Sequence, residues 1–74
     1  MPNTGKVVRV TSRPTRAFTL LVPPQPGPPP VPEMELIFLD VDSDSWALAC
    51  LAFAGKSDAT VTGTPPNCVS VTLP

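Results

Sequence analysis

The stretch MELIFLDV, residues 34–41, decides how this chain is expected to fold, because it is the strongest strand signal in the sequence. It is nearly continuous in apolar residues, and such a run is typical of a strand that is covered on both faces. We therefore expect residues 34–41 to form a buried strand of a small, mainly β domain.

The segment 46–54 after this strand fits two structures. Four alanines, a Ser or Asp before the segment and Gly55 directly after it predict a capped helix of about ten residues. The alternative is a second strand that folds back on residues 34–41 through the loop 42–45. We favour the helix, because alanine is a good helix former and a poor strand former. Short strands are expected at 59–62 and 68–73, with a turn at 63–67.

The first half of the chain predicts two further strands and a rigid connection. Residues 6–11 and 17–22 have strand character and could pair as a hairpin, although Pro14 could equally break an extended arm. Seven prolines fall within residues 23–32, which predicts a polyproline II spacer of roughly 30 Å. The sequence thus divides into a basic extended arm or hairpin (1–22), a proline-rich spacer (23–32) and a small acidic β-rich module (33–74).

The charge of the chain is distributed unevenly. Residues 1–32 carry +4 and no acid, whereas residues 33–74 hold six acids and one lysine, so that the total is −1. The basic residues of the first half are Lys6, Arg9, Arg13 and Arg16.

The amino-acid composition argues against catalysis. The 74 residues include no histidine and no tyrosine, so Ser-His-Asp and Cys-His arrangements and His-containing zinc sites cannot be built. Cys50 and Cys68 form no CxxC pair, and we expect two buried thiols and no disulfide. The sequence therefore predicts no enzyme, no cofactor and no metal.

The acidic stretch at residues 40–44 has the acid spacing that opens an EF-hand calcium loop. Ser45 replaces the glycine at the sixth position and Leu51 replaces the glutamate at the twelfth, so we expect a solvated turn that caps the following helix. Residues 37–42 also resemble the first motif of haloacid dehalogenase-type phosphatases, but that family's doubly wound domain does not fit in 74 residues.

These patterns predict a non-catalytic structural subunit of a larger assembly, with a virion cement or decoration protein as the specific expectation. Such small domains usually need a stabilising neighbour. The partner would be a set of capsid or coat subunits, or further copies of the chain. We expect partner contacts at Lys6, Arg9, Arg13, Arg16, Phe18 and Trp46. In the isolated chain, residues 1–32 are expected to be mobile.

Two alternatives stay open. A polyproline-binding domain could read the PxxP repeats of residues 23–32, which would make the chain an adaptor. The basic residues could instead bind nucleic acid in a small regulatory protein, which the overall acidic composition disfavours. The longest apolar run, 46–54, is much shorter than the roughly 20 residues that cross a bilayer, so no membrane partner is expected. The predicted localisation is the virion, or else the cytoplasm.

Overall fold

The computed structural model describes residues 2–74; Met1, the first residue of the predicted arm, lies outside them. Within these residues the chain forms five strands and one helix: β1 (Pro2–Thr11), β2 (Ala17–Val22), β3 (Met34–Phe38), α1 (Ser43–Gly55), β4 (Asp58–Thr62) and β5 (Ser70–Thr72). The strands form one open antiparallel sheet in the order β3-β2-β1-β4-β5. The predicted mainly β domain with one short helix near residues 45–54 is confirmed.

The long strand β1 lies at the centre of the sheet and joins its two halves. Its second half, from Lys6 to Thr11, pairs with β2 in an antiparallel hairpin. Its first half, from Pro2 to Lys6, pairs with β4. Residues 2–22 are thus inner strands of the same sheet as the acidic half of the chain, and the arm that we expected from the sequence does not stand apart from it.

One face of the sheet packs against α1 and forms the core. Phe18 on β2 and Phe38 on β3 are register partners, and their rings stack with centroids 5.1 Å apart. Alternate residues of a strand face the same side of a sheet, and β2 accordingly gives the core Phe18, Leu20 and Val22. The buried members of this core are Val7, Phe18, Leu20, Val22, Phe38, Val41, Ala49, Ala52, Ala59, Val61 and Val71.

The helix α1 turns its small side chains inward. Ser45, Ala49 and Ala52, spaced four and three residues apart, are its buried residues, which lets the helix axis approach the sheet closely. The larger Leu51 and Phe53 are left exposed. Trp46 and Leu48 pack partly against the core, so the large apolar side chains that the helix exposes are those of Leu51 and Phe53.

The ends of α1 are capped by side chain and backbone. Asp42 is the N-cap, and its carboxylate accepts a hydrogen bond from the backbone N–H of Ser45 (3.1 Å), as the acidic turn predicted. The C-cap differs from the prediction of a glycine cap. Gly55 is the last helical residue, and Lys56 adopts the left-handed conformation with φ 54° and ψ 34°. A lysine thus occupies a conformation that glycine adopts at lower cost.

A β-bulge and a close backbone approach shape β1. The register with β2 shifts between Val7 and Arg9, so Val8 is an extra residue in the strand. At Gly5 a Cβ atom would overlap the backbone carbonyl of Leu21. Glycine at this position therefore lets β1 pass directly against the end of the β2 pairing.

The proline-rich tract is the loop of a hairpin between β2 and β3. Gln25 and Val31 exchange two backbone hydrogen bonds, of 2.9 and 3.1 Å, so the tract folds back on itself. The two residues continue the register of the β2–β3 pair, in which Val22 lies opposite Met34. The tract thus connects neighbouring strands of one sheet, where the sequence predicted a spacer between two units.

The stretch 34–41 differs in one important way from its prediction. It forms a strand, but β3 ends at Phe38 and lies at an edge of the sheet, paired with β2 alone. The prediction of a strand covered on both faces is wrong, because Met34, Glu35 and Ile37 are exposed and only Phe38 is fully buried. An apolar run has the same sequence pattern whether the second face of its strand is covered by the same chain or is exposed and free to contact a partner.

Candidate functional site

The free edge of β3 carries several exposed apolar side chains. Ile37 is 53% exposed, Leu39 46% and Met34 40%, although all three belong to one short apolar run. Single exposed apolar residues are ordinary, whereas several along one strand edge mark a surface for protein contacts. We call residues 34–39 the β3 edge.

The hairpin register determines which backbone groups face this edge. Gln25 and Val31 form a doubly hydrogen-bonded pair, and hydrogen-bonded pairs alternate with non-hydrogen-bonded pairs along an antiparallel ladder. Counting along the shared register makes Thr19 with Ile37, and Leu21 with Glu35, the hydrogen-bonded pairs. The N–H and C=O groups of Met34, Leu36 and Phe38 consequently point away from β2, toward the side that no strand covers.

The β3 edge ends at a contact with the loop before β5. The N–H of Leu39 donates to the carbonyl oxygen of Pro66 (2.9 Å), and this loop closes over the end of the strand. An added strand can therefore pair along residues 34–38 but not beyond them.

Two acidic residues give the β3 edge a negative charge. Glu33 and Glu35 are both exposed, and Glu35 lies on the open face of the sheet beside Ile37. Complete antiparallel overlap of two β3 strands, centred on Leu36, would place the two Glu35 residues at diagonal positions about 7–8 Å apart on one face. Repulsion between them disfavours pairing of two copies and favours a basic partner strand.

The predicted basic contact residues have separate environments. Lys6 forms an ion pair with Asp58 across β1 and β4, with Nζ 2.8 Å from the carboxylate. The Nε of Arg16 donates to the carbonyl oxygen of Val41 (2.9 Å) and so fastens the turn after β1 to the segment before α1. Arg9 and Arg13 are exposed, and Arg9 borders a shallow cavity of about 150 Å³ that Ile37 and Leu39 also line.

The two predicted aromatic contact residues both support the fold. Phe18 is buried against Phe38. Trp46 is half-buried, and its indole Nε1 donates to the carbonyl oxygen of Thr11 (3.0 Å). The exposed apolar residues Ile37 and Leu39 were not among the predicted contacts. The signal that could have found them is Glu35, because a charged residue inside an apolar strand is a common feature of sheet edges.

A polar cleft of about 350 Å³ lies between the β1–β2 turn and residues 40–42. Its main charged groups are Arg16, Asp40 and Asp42. Hydrogen bonds from Ser45, first from its side chain and then from its backbone, hold the pKa of Asp42 below its ordinary value of 3.8. Within residues 2–74 no group of three or more Cys, Asp or Glu side chains is placed to hold a metal ion.

Cys50 and Cys68 are both free and half-buried. Burial raises the pKa of both thiols, and the nearby Asp42 carboxylate adds to the increase at Cys68. A raised pKa leaves little thiolate at neutral pH, so both sulfurs are weak nucleophiles.

Comparison with known proteins adds no family. No protein-family model, no curated protein and no solved structure matches this chain. In the part of the chain that the structure describes, no helix is long and apolar enough to cross a membrane.

Proposed function

We propose that this protein is a non-catalytic subunit of a larger assembly and that it docks by accepting an extended strand of a partner protein at the β3 edge. The observation that carries the proposal is the combination of unpaired backbone groups on Met34, Leu36 and Phe38 with the exposed side chains of Ile37 and Leu39. In strand addition the main-chain hydrogen bonds provide affinity, and the side chains provide specificity.

The charges of the β3 edge indicate which charge the partner strand should carry. Glu33 and Glu35 favour a segment with lysine or arginine on the side chains that face them. An aliphatic residue in the same segment would pack on Ile37 and Leu39 and cover apolar surface that is now exposed. The partner is thus an extended, basic and partly aliphatic strand of another protein.

A virus or phage particle is the assembly in which we expect such a subunit, with this chain as a cement or decoration protein on the coat. Residues 2–22 need not act as a separate arm in this docking, because β1 and β2 belong to the same sheet as the β3 edge. The adaptor alternative ranks lower. SH3-type grooves bind an extended proline segment, and the hydrogen bonds between Gln25 and Val31 would have to break first.

The experiment that tests the proposal is fractionation of the native source by size with the wild-type chain and two matched variants. Ile37→Lys places a charge at the β3 edge, where lysine is a natural guard against strand addition. Leu51→Lys makes the same kind of change at an exposed apolar residue on the helix.

We expect the wild-type chain and Leu51→Lys to elute with a large particle in fixed stoichiometry, and Ile37→Lys to elute as free protein. Equal retention of all three chains would place the contact elsewhere. Elution of the wild-type chain as a free monomer would overturn the assembly proposal itself. Nucleic-acid absorbance that elutes with the chain and disappears at high salt would support the nucleic-acid alternative instead.

A further inference from the structure

A second apolar surface lies on the helix side of the sheet, between the bulge of β1 and the last turn of α1. It is a groove of about 580 Å³, a volume within the usual range for small-molecule sites of roughly 300–1,000 Å³. We call it the Val8–Phe53 groove. Its lining residues are Lys6, Val7, Val8, Phe53, Ala54 and Lys56.

The groove follows from two features of the fold. The bulge adds Val8 to β1, and its side chain is 42% exposed. The helix packs through small residues and so leaves Phe53, 43% exposed, on its outer side. Two large apolar side chains thus border one depression, which differs from apolar residues scattered singly over a surface.

The polar groups around the groove are cationic. Lys6 is already paired with Asp58, whereas Lys56 forms no ion pair with any residue in the described range 2–74. At the end of the helix, the carbonyl oxygens of Ala52 and Phe53 accept hydrogen bonds from the backbone after the helix, which reduces their repulsion of an anion. Lys56 is therefore available to a negatively charged group.

We propose that the Val8–Phe53 groove binds a linear aliphatic chain with a single anionic head group, such as a free fatty acid. The chain would lie on Val8 and Phe53, and the carboxylate would meet Lys56. Apart from the two lysines, the side chains that line the groove are apolar and suit an aliphatic chain. This site is independent of the proposed docking at the β3 edge.

The probe is monomeric decanoate, titrated into the ¹⁵N-labelled full chain below its micelle concentration and followed by amide chemical shifts. We expect saturable shifts at Val8, Ala54 and Lys56 with a Kd of about 1 mM or tighter. Octanoate should bind about fifteenfold more weakly, because it is two methylenes shorter and each buried methylene strengthens binding by roughly fourfold.

Three variants in the groove separate the apolar and charged contributions, and a fourth variant outside it is the control. Val8→Asp should weaken decanoate binding at least tenfold, because it removes apolar surface that the aliphatic chain would cover. Phe53→Ser, at a second exposed position, should weaken binding by at least the same factor for the same reason. Val69→Asp changes an exposed valine outside the groove and should leave binding unchanged. Lys56→Met should weaken decanoate several-fold and leave decanol unaffected.

The opposite results are equally clear. The absence of saturable shifts, or equal weakening by Val69→Asp, would overturn the proposal. Decanol binding to the wild-type chain as tightly as decanoate would contradict the anionic head group. Binding to vesicles of anionic phospholipid without binding to monomeric decanoate would mean that the surface recognises a membrane and not a free amphiphile.

Discussion

The indole Nε1 of Trp46 donates a hydrogen bond to the carbonyl oxygen of Thr11 at 3.0 Å, which fastens the first turn of α1 to the last residue of β1. Nearby, two hydrogen bonds join Arg16 and Val41: the Arg16 side chain donates to the Val41 carbonyl, and the Val41 N–H donates to the Arg16 carbonyl. Together these contacts hold the start of the helix against the β1–β2 turn, although the bonded residues are 35 and 25 positions apart in the chain.

The Trp46 contact predicts a moderate loss of stability in Trp46→Phe. This variant keeps an aromatic ring but loses the donor to Thr11. We expect the free energy of unfolding to fall by about 1–2 kcal/mol, from the hydrogen bond and from the volume removed. Urea denaturation followed by circular dichroism measures the change. An unchanged midpoint would show that the hydrogen bond contributes nothing in solution.

Gly5→Ala should destabilise the protein strongly. The added methyl group would overlap the carbonyl of Leu21, and this contact is with backbone that cannot rotate away. We expect a loss of at least about 1–3 kcal/mol. Gly55→Ala is the matched control, because its Cβ would lie 3.4 Å from the Ser57 hydroxyl and the residue is helical. The control should be neutral or stabilising, since alanine favours a helix over glycine.

Lys56→Gly should stabilise the helix end. Lys56 has a φ of 54°, a left-handed conformation that costs a residue with a Cβ roughly 1–2 kcal/mol and glycine almost nothing. Part of this gain is offset by the greater entropy of glycine in the unfolded chain. A higher thermal midpoint in Lys56→Gly is therefore expected, while Lys56→Ala should show no such increase. A lower midpoint for the glycine variant would contradict the observed cap conformation.

The Asp42 cap predicts a stability contribution that depends on pH. Because its pKa is depressed in the folded state, the contribution is fully present above the unfolded pKa near 3.8 and is lost as the pH falls through the folded value. Asp42→Asn keeps an N-cap side chain and removes the titration. Thermal midpoints between pH 7 and pH 2 should fall more steeply for the wild-type chain than for Asp42→Asn. Parallel curves would argue against the depressed pKa.

Hydrogen exchange of the monomer tests the placement of residues 2–22. In the fold, the first half of β1 pairs with β4 and its second half with β2, so the amides of β1 and β2 that donate across these ladders should exchange slowly together with those of the core. The sequence-based expectation was rapid exchange across residues 6–22 without a partner. Rapid exchange there in a proven monomer would mean that the sheet is completed only on binding.

Local patterns in the sequence predicted those features that depend on neighbouring residues. The alanine-rich composition of 46–54 and the polar cap at Asp42 are properties of one short segment, and both appear in the structure. The strands at 6–11 and 17–22 and the turn between them were predictable for the same reason. The lack of histidine excluded whole classes of catalytic site without any knowledge of the fold.

The tertiary structure decided how these segments face one another. A run such as residues 34–41 is apolar whether it lies inside a sheet or at its edge, so only the strand order reveals that Ile37 and Leu39 are exposed. Prolines limit local geometry, but the hydrogen bonds between Gln25 and Val31 form only because β2 and β3 are neighbours. Phe53 is exposed because the helix packs against the sheet through its small residues. Which side of the helix faces the sheet depends on the shape of the opposing sheet. The sequence alone determined which kinds of side chain the protein has. Long-range packing determined which of these side chains are exposed at the surface.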